Sequence, residues 1–388
     1  MLFRFLRAAP SRLVPLYMLI LLIGTVGCDS AETMDPEDDT GRVVEGVDLD
    51  LLFASPAAAE LDGIQADWAT RDVSARDVRI DSSFAISLGG TPGTAQVLSH
   101  VVDGARHYGL LLLPDARPPE GVPSIVLTHG GDEGVGLNEP LSADAAGRDA
   151  LTLITLGLDQ FWPDFAYIVP SFRAEPLVVG GRVWLSEGDA SPWDRDVDDA
   201  LALVNAALET APGLDPTRIG ALGYSRGGTV ALLMAIRDPR IVRLSAFFGP
   251  TDFLFGSSRE FVADALRGNV ADLPGLDVLN EDIIVPLRAG TLPLAEARLA
   301  LIRRSPVYFA DRLPEVQVHH GQADTVVPVE QTERLSAIMA GLARTPPAYE
   351  AFLYNGGGHS PLTMPQSTQR SGLFLSALLT VPSAPAFD

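Results

Sequence analysis

Short apolar runs alternate with helix-length amphipathic stretches along most of this chain. An early β-rich segment spans about Val78 to Leu113, with turn signals at Gly89-Gly90 and Gly104 that divide it into two or three strands. Further strand-like runs follow at Ser124–Thr128, Arg218–Leu222, Leu244–Phe248, Val316–Val318 and Tyr349–Tyr354. Helical patterns lie between them: an acidic helix start at Asp194 to Asp199, a run from Thr229 to Ile236, and a helix opening near Pro328. Strands alternating with helices predict an α/β domain with a mostly parallel central sheet and helices on both faces. One stretch breaks the rhythm. Between Phe253 and Arg304 the apolar spacing is helical throughout, at Phe261-Val262, Leu266, Ile283-Ile284 and Leu299-Leu301-Ile302. A long helical insertion at this point reads as a lid over a site. Pro176 to Pro192, with Trp184, is a second candidate wall of the pocket.

The ends of the chain change the picture. Arg4, Arg7 and Arg12 precede an apolar run from Leu13 to Val26 that is interrupted by Pro15 and short for a comfortable membrane span. It closes on Gly27-Cys28, and Cys28 is the single cysteine of the chain. Small residues before a cysteine resemble a bacterial lipoprotein signal, which implies lipidation of Cys28 and an extracytoplasmic, membrane-anchored protein. Asp35, Glu37, Asp38 and Asp39 then crowd a polar segment that cannot bury a core. The expected organisation is a signal peptide over 1–27, a disordered acidic tether over 28–55, and one α/β domain over 56–388 containing the insertion 253–304.

Charge excludes one class of partner. The formal net charge is −22 and all 28 basic side chains are arginine, so nucleic acid phosphates should be repelled. No P-loop, dinucleotide fingerprint or cysteine–histidine cluster stands out, and no cofactor or metal is expected.

Candidate chemistry centres on Gly223-Tyr224-Ser225-Arg226-Gly227-Gly228, set between the apolar run Arg218–Leu222 and the helical run that follows. A strand, a glycine-flanked serine and a helix are the context of a nucleophile elbow. The turn is so tight that its flanking side chains must be nearly absent, and the next helix aims its N-terminal N–H groups at the serine. The serine needs a base, and the base an orienting acid. Of six histidines, His319, His320 and His359 follow Ser225. His319 and His320 end an apolar run and fit a strand end, whereas His359 follows Gly356-Gly357-Gly358, a flexible loop beyond a late strand. Asp324 lies in the turn after the Val316 strand, and Asp252 is the competing acid one strand earlier. His129-Gly130-Gly131 follows the Ser124 strand, and its glycines suit an oxyanion hole built from the backbone of Gly130 or Gly131 together with Arg226. His129 precedes the nucleophile, which favours a structural role.

Taken together, the segment from about Arg79 to Leu379 resembles the α/β-hydrolase superfamily, in particular the catalytic domain of the prolyl oligopeptidase family and its dienelactone-hydrolase-like relatives. The resemblance rests on His129-Gly130-Gly131, Tyr167-Ile168-Val169-Pro170-Ser171-Phe172-Arg173, the Asp194–Asp199 helix start, Pro216–Gly220 with the elbow, Ser305-Pro306-Val307-Tyr308, His320–Asp324 with Val327-Pro328, and Gly358-His359. It implies an α/β-hydrolase fold and a Ser225–Asp324–His359 triad. Two departures are visible. The family follows the early arginine with a glycine, where this chain has Ala174-Glu175, and its peptidases carry a β-propeller, of which the stretch before Ser124 shows no blade repeats. The expected function is therefore a serine hydrolase acting on a small ester or peptide. The alternative is a hydrolase fold that only binds at a surface.

Overall fold

The computed structural model describes residues 43–116, 121–137, 149–342 and 349–380. The expected signal peptide, Cys28 and the tail from Pro382 lie outside the described residues.

Nine strands form the central sheet: β1 (Arg76–Leu88), β2 (Thr91–Val102), β3 (Ala105–Pro114), β4 (Val122–Thr128), β5 (Ala166–Pro170), β6 (Leu214–Tyr224), β7 (Ile241–Phe247), β8 (Glu315–Gly321) and β9 (Tyr349–Tyr354). Their spatial order is β9-β8-β7-β6-β4-β5-β3-β2-β1. The early β-rich segment is a three-stranded antiparallel meander that turns at Gly89-Gly90 and at Asp103-Gly104, and β3 joins β5 antiparallel. From β5 to β9 every pairing is parallel.

Parallel strands need crossovers, and the crossovers place helices on the faces. Burial on both faces is why the central strands read as continuous apolar runs. On β4, Val126 joins one core, with Ala221 of β6 and Val230 of the helix after it. Its neighbours Ile125 and Leu127 join the other core, with Leu222 and Phe374. The first core is covered by α2 (Arg195–Thr210) and α3 (Arg226–Arg237), the second in part by α7 (Ser367–Ser376). The remaining named helices are α1 (Ala58–Thr70), α4 (Ser257–Leu266), α5 (Leu294–Arg303) and α6 (Glu330–Gly341).

The tether boundary requires correction. Val43–Val44 pairs with Val47–Asp48, and a helical turn Leu49–Leu52 follows, capped by Asp48 Oδ1 on the N–H groups of Asp50 and Leu51. Val44, Val47, Leu49 and Leu52 are buried in the first core. The guanidinium of Arg298 in α5 donates to the carbonyls of Leu51 and Leu52 at 2.7 Å each and of Ala54 at 3.0 Å, and also pairs with Glu60. The domain thus includes residues from Val43 onward, not from 56. Averaged over 28–55, acidic composition hides these spaced apolar anchors.

The insertion 253–304 contains α4, a run of short helical turns from Leu276 to Arg288 that includes a π-turn at Asn280–Ile284, and α5. Leu279, Ile283, Leu287, Leu301 and Ile302 carry it into the first core. Among the described residues no helix is long and apolar enough to cross a membrane.

Candidate active site

Ser225 sits between the end of β6 and the start of α3 with φ 53° and ψ −122°, a conformation that few L-residues adopt. The glycines around it are explained by contact. A Cβ on Gly223 would lie 2.2 Å from the Gly227 carbonyl oxygen, and one on Gly227 would lie 2.1 Å from that of Thr128. A side chain at Gly223 would force the start of α3 away from β6, and one at Gly227 would force the turn away from β4. The Thr128 hydroxyl donates to the Gly227 carbonyl at 2.7 Å, which pins the elbow to the end of β4.

A chain of short hydrogen bonds runs from this serine. His359 Nε2 lies 2.9 Å from Ser225 Oγ, and His359 Nδ1 lies 2.7 Å from Asp324 Oδ2. A carboxylate accepts, so Nδ1 carries the imidazole proton and Nε2 is left to accept from the serine hydroxyl. The His359 side chain is 19% exposed and the Asp324 side chain 0%, so the imidazole reaches the surface while the carboxylate stays dry. Asp324 Oδ1 accepts from the N–H groups of Val326 and Val327 at 2.8 and 3.0 Å. Burial alone would raise the Asp324 carboxyl, but hydrogen bonding from His320 and His359 outweighs it and holds the group well below the ordinary carboxylate range.

The other candidates separate cleanly. Asp252 is buried after β7, where Oδ1 accepts from the Leu254 N–H at 2.9 Å and from the Tyr308 hydroxyl at 2.8 Å, while Oδ2 faces Arg334 Nε at 3.2 Å. His320 stands behind the acid: its Nε2 donates to the Val327 carbonyl at 2.8 Å, its Nδ1 accepts from Thr332, and Asp324 Oδ2 is 3.4 Å away. His319 lies buried in the sheet, bonded to Gln317 and Tyr354, and burial lowers it to about 3. His129 is buried beside Phe172, with Nδ1 3.0 Å from the Gly130 carbonyl and Nε2 3.5 Å from Glu175.

Gly130 packs directly against the serine; a Cβ there would lie 3.1 Å from Ser225 Cβ. Gly131 has φ 72°, and its carbonyl accepts from Arg226 Nη1 at 3.1 Å. That contact exposes a role that residue order did not suggest. Besides opening α3 with its N–H, Arg226 is 3% exposed and packs its guanidinium 4.8 Å from the Phe172 ring centre. It donates to Asp196 at 2.8 Å and to Glu175. Burial pushes the Asp196 carboxyl up to about 6 against the pull of Arg226. Beside this pair, Arg173 forks onto Asp199 at 2.9 and 2.6 Å. The Asp194–Asp199 helix start is therefore an interior counter-charge for the elbow and the Gly130-Gly131 loop; its signal in the sequence was the acid run paired with Arg173 and Arg226. Ala174 occupies φ 61°, which explains why a glycine suits that position and shows that alanine can be held there.

The cleft at Ser225 is lined on one side by the insertion, through Phe261, Val262, Leu276 and Ile284, and on the other by Arg226 and Val327. Its empty space is about 1020 Å³ with the open solvent at its mouth included. The tryptophan on its wall is Trp193. Trp184 instead packs against the second core, on a small sheet in which Arg182–Leu185 pairs with Pro176–Val179.

Comparison with solved structures agrees with this architecture. Acetyl xylan esterase 1 from a Thermoanaerobacterium species superposes with a TM-score of 0.53 at 18% identity, covering 86% of this chain and 99% of that one. An acetyl xylan esterase from a Paenibacillus species gives 0.53 at 14% identity, covering 84% and 98%. The fold is that of the α/β-hydrolases. No protein-family model matches the chain. Among curated proteins, a probable 1-alkyl-2-acetylglycerophosphocholine esterase of Arthroderma benhamiae is 35% identical over 75 residues, which is 19% of this chain and 19% of that protein's length. Within this α/β-hydrolase frame the elbow follows β6, the fourth strand of the parallel-paired half counted back from β9, and both hydrogen-bonded groups in the chain from Ser225 arrive on the loops after β8 and β9.

Proposed function

We propose that the protein is a serine hydrolase that cleaves an ester or peptide bond through an acyl-enzyme on Ser225. The observation that carries this reading is the Asp324–His359–Ser225 chain, at 2.7 and 2.9 Å, beside a cleft walled by the insertion. Ser225 Oγ attacks the substrate carbonyl as its proton passes to His359 Nε2. The resulting oxyanion is held by the backbone N–H of Arg226 and by that of Gly130 or Gly131. The tetrahedral intermediate collapses, and the leaving alcohol or amine takes the proton from His359. Water then repeats the sequence on the acyl-serine and returns the free acid. Asp324 keeps the imidazole in the required tautomer and stabilises its cation. The stretch shared with the fungal esterase supports the same reaction class.

The test is labelling with a fluorophosphonate followed by peptide mapping. An adduct on Ser225, absent in Ser225→Ala and suppressed in His359→Ala, is the expected result. A folded wild-type protein that resists the probe and cleaves neither esters nor peptide anilides would favour the surface-binding alternative.

The enzyme's setting is the second part of the proposal: an extracytoplasmic lipoprotein held at a membrane through Cys28. Support comes from the Arg-flanked apolar run that closes on Gly27-Cys28 and from the acid-rich residues after it. Mass spectrometry of the mature N-terminus should find a lipidated cysteine. An unmodified N-terminus beyond residue 28 would overturn the assignment.

A further inference from the structure

We infer that the cleft is an acyl pocket for an uncharged apolar chain, so that the substrate is an ester of a medium-chain or bulky apolar acid rather than a charged peptide or an acetate. The inference rests on the serine hydrolase reading above and adds the substrate class. Its first ground is the chemistry of the wall. Phe261, Val262, Ala265, Leu273, Leu276 and Ile284, all from the insertion, line the cleft on the side facing Ser225. Among the described lining residues the one charged side chain is Arg226, and its guanidinium is committed to Asp196, Glu175 and the Gly131 carbonyl.

The polar lining residues are largely turned away as well. The Gln331 amide binds the backbone at Thr251 and Asp252, and the Ser258 hydroxyl binds the Asp252 carbonyl. Trp193 Nε1 and Asn280 Oδ1, also on lining residues, are buried without a hydrogen-bond partner, and neither carries a charge. A charged amine or carboxylate entering here would lose its hydration and find no counter-ion, a heavy penalty, whereas an apolar chain gains by the same transfer.

The second ground is position. The lining includes Ser225 and Arg226 but not His359. The leaving group must depart on the side of His359 Nε2, from which it takes its proton. The cleft that reaches the serine beside Arg226 and Val326-Val327-Pro328 is assigned to the part of the substrate that stays on the enzyme, the acyl group. The insertion supplies this specificity by walling the cleft with aliphatic and aromatic side chains on α4 and on the turns after it.

The experiment compares kcat/KM for p-nitrophenyl acetate, butyrate and octanoate, beside acetates of longer alcohols and a leucine anilide, in the wild type and in Ala265→Trp, which fills the pocket. Octanoate should exceed acetate by about tenfold or more, the scale that added methylenes reach in a hydrophobic pocket. In Ala265→Trp that ratio should fall by about tenfold, with an unchanged melting temperature to show that the variant folds. A flat acyl series, or a preference that instead follows alcohol length, overturns the acyl pocket while leaving ester hydrolysis standing. A ratio that Ala265→Trp leaves unmoved, or a leucine anilide preferred to every ester, overturns it too. Titration of Ser225→Ala with p-nitrophenyl octanoate, beside fluorophosphonate labelling of the wild type, separates the two readings: tight binding without turnover keeps the pocket, and absence of binding in the variant together with no labelling of the wild type sinks pocket and reaction together.

Discussion

Asp252 and Asp324 begin as near equals. Each follows one of two adjacent parallel strands, β7 and β8, each is buried, and each accepts a backbone N–H from a residue just ahead of it. Their side-chain partners divide them. Asp324 receives the imidazole N–H of His359 at 2.7 Å, whereas Asp252 receives the hydroxyl of Tyr308 at 2.8 Å and faces Arg334 at 3.2 Å. One carboxylate orients a group that can move a proton. The other ties the start of the insertion to the segment that follows it and to α6. The difference teaches that a buried aspartate at a strand end is a common structural device, and that its chemistry is decided by what the chain delivers to it from far away.

The largest effect should separate the two on turnover. Asp324→Asn should lower kcat by about 10⁴, the scale reached when an amide favours the wrong histidine tautomer. Asp252→Asn should cost far less in kcat. Steady-state kinetics on a p-nitrophenyl ester reads both, and reversed effects in two folded variants would move the acid one strand earlier.

Stability should show the opposite ranking of roles. Asp252→Ala strands the Leu254 N–H and the Tyr308 hydroxyl, so a loss of about 1–3 kcal/mol is expected in urea unfolding. Tyr308→Phe should recover part of that loss in the double variant, because the stranded hydroxyl is then gone. Full additivity of the two substitutions would mean that this pair is not coupled.

A smaller and narrower effect concerns acid. The folded-state value of Asp324 lies below its ordinary 3.8. The unfolded chain therefore binds the proton more readily, and the carboxylate's contribution is fully present above about pH 4 and lost as pH falls through the lowered value. The melting-temperature advantage of wild type over Asp324→Asn should start to shrink as pH falls below about 4 and go on shrinking as pH passes through the lowered value. An advantage that grows on acidification would reverse the sign of this linkage. Least of all should be felt at Arg334, whose side chain is 33% exposed. Arg334→Met should cost no more than about 1 kcal/mol by thermal unfolding; a larger loss would make Asp252 depend on its ion pair rather than on Tyr308.

Much of the site was legible because it follows from local rules. The elbow needs glycines at Gly223 and Gly227 whatever surrounds it, and the structure shows backbone oxygens where their side chains would be. His359 was marked by its glycine loop and by chain order. One boundary went astray, and one motif gained a role. Acidic composition over 28–55 masked four apolar anchors from Val44 to Leu52, and the acidic helix start at Asp194 to Asp199 supplies carboxylates to buried arginines. Composition averages over neighbours in sequence, while burial depends on neighbours in space.

By itself, then, the order of residues determined the alternation of strands and helices, the strained serine and the short menu of bases and acids, since each depends on backbone sterics and on periodicity within a few residues. Tertiary structure alone brought His359 to Asp324 rather than to Asp252, made Arg226 an interior strut and put Trp193 rather than Trp184 on the cleft wall. Those outcomes turn on hydrogen bonds and contacts a few ångströms long, between residues 35 and 134 positions apart along the Asp324–His359–Ser225 chain, and such distances exist only once the sheet has brought the strand ends together.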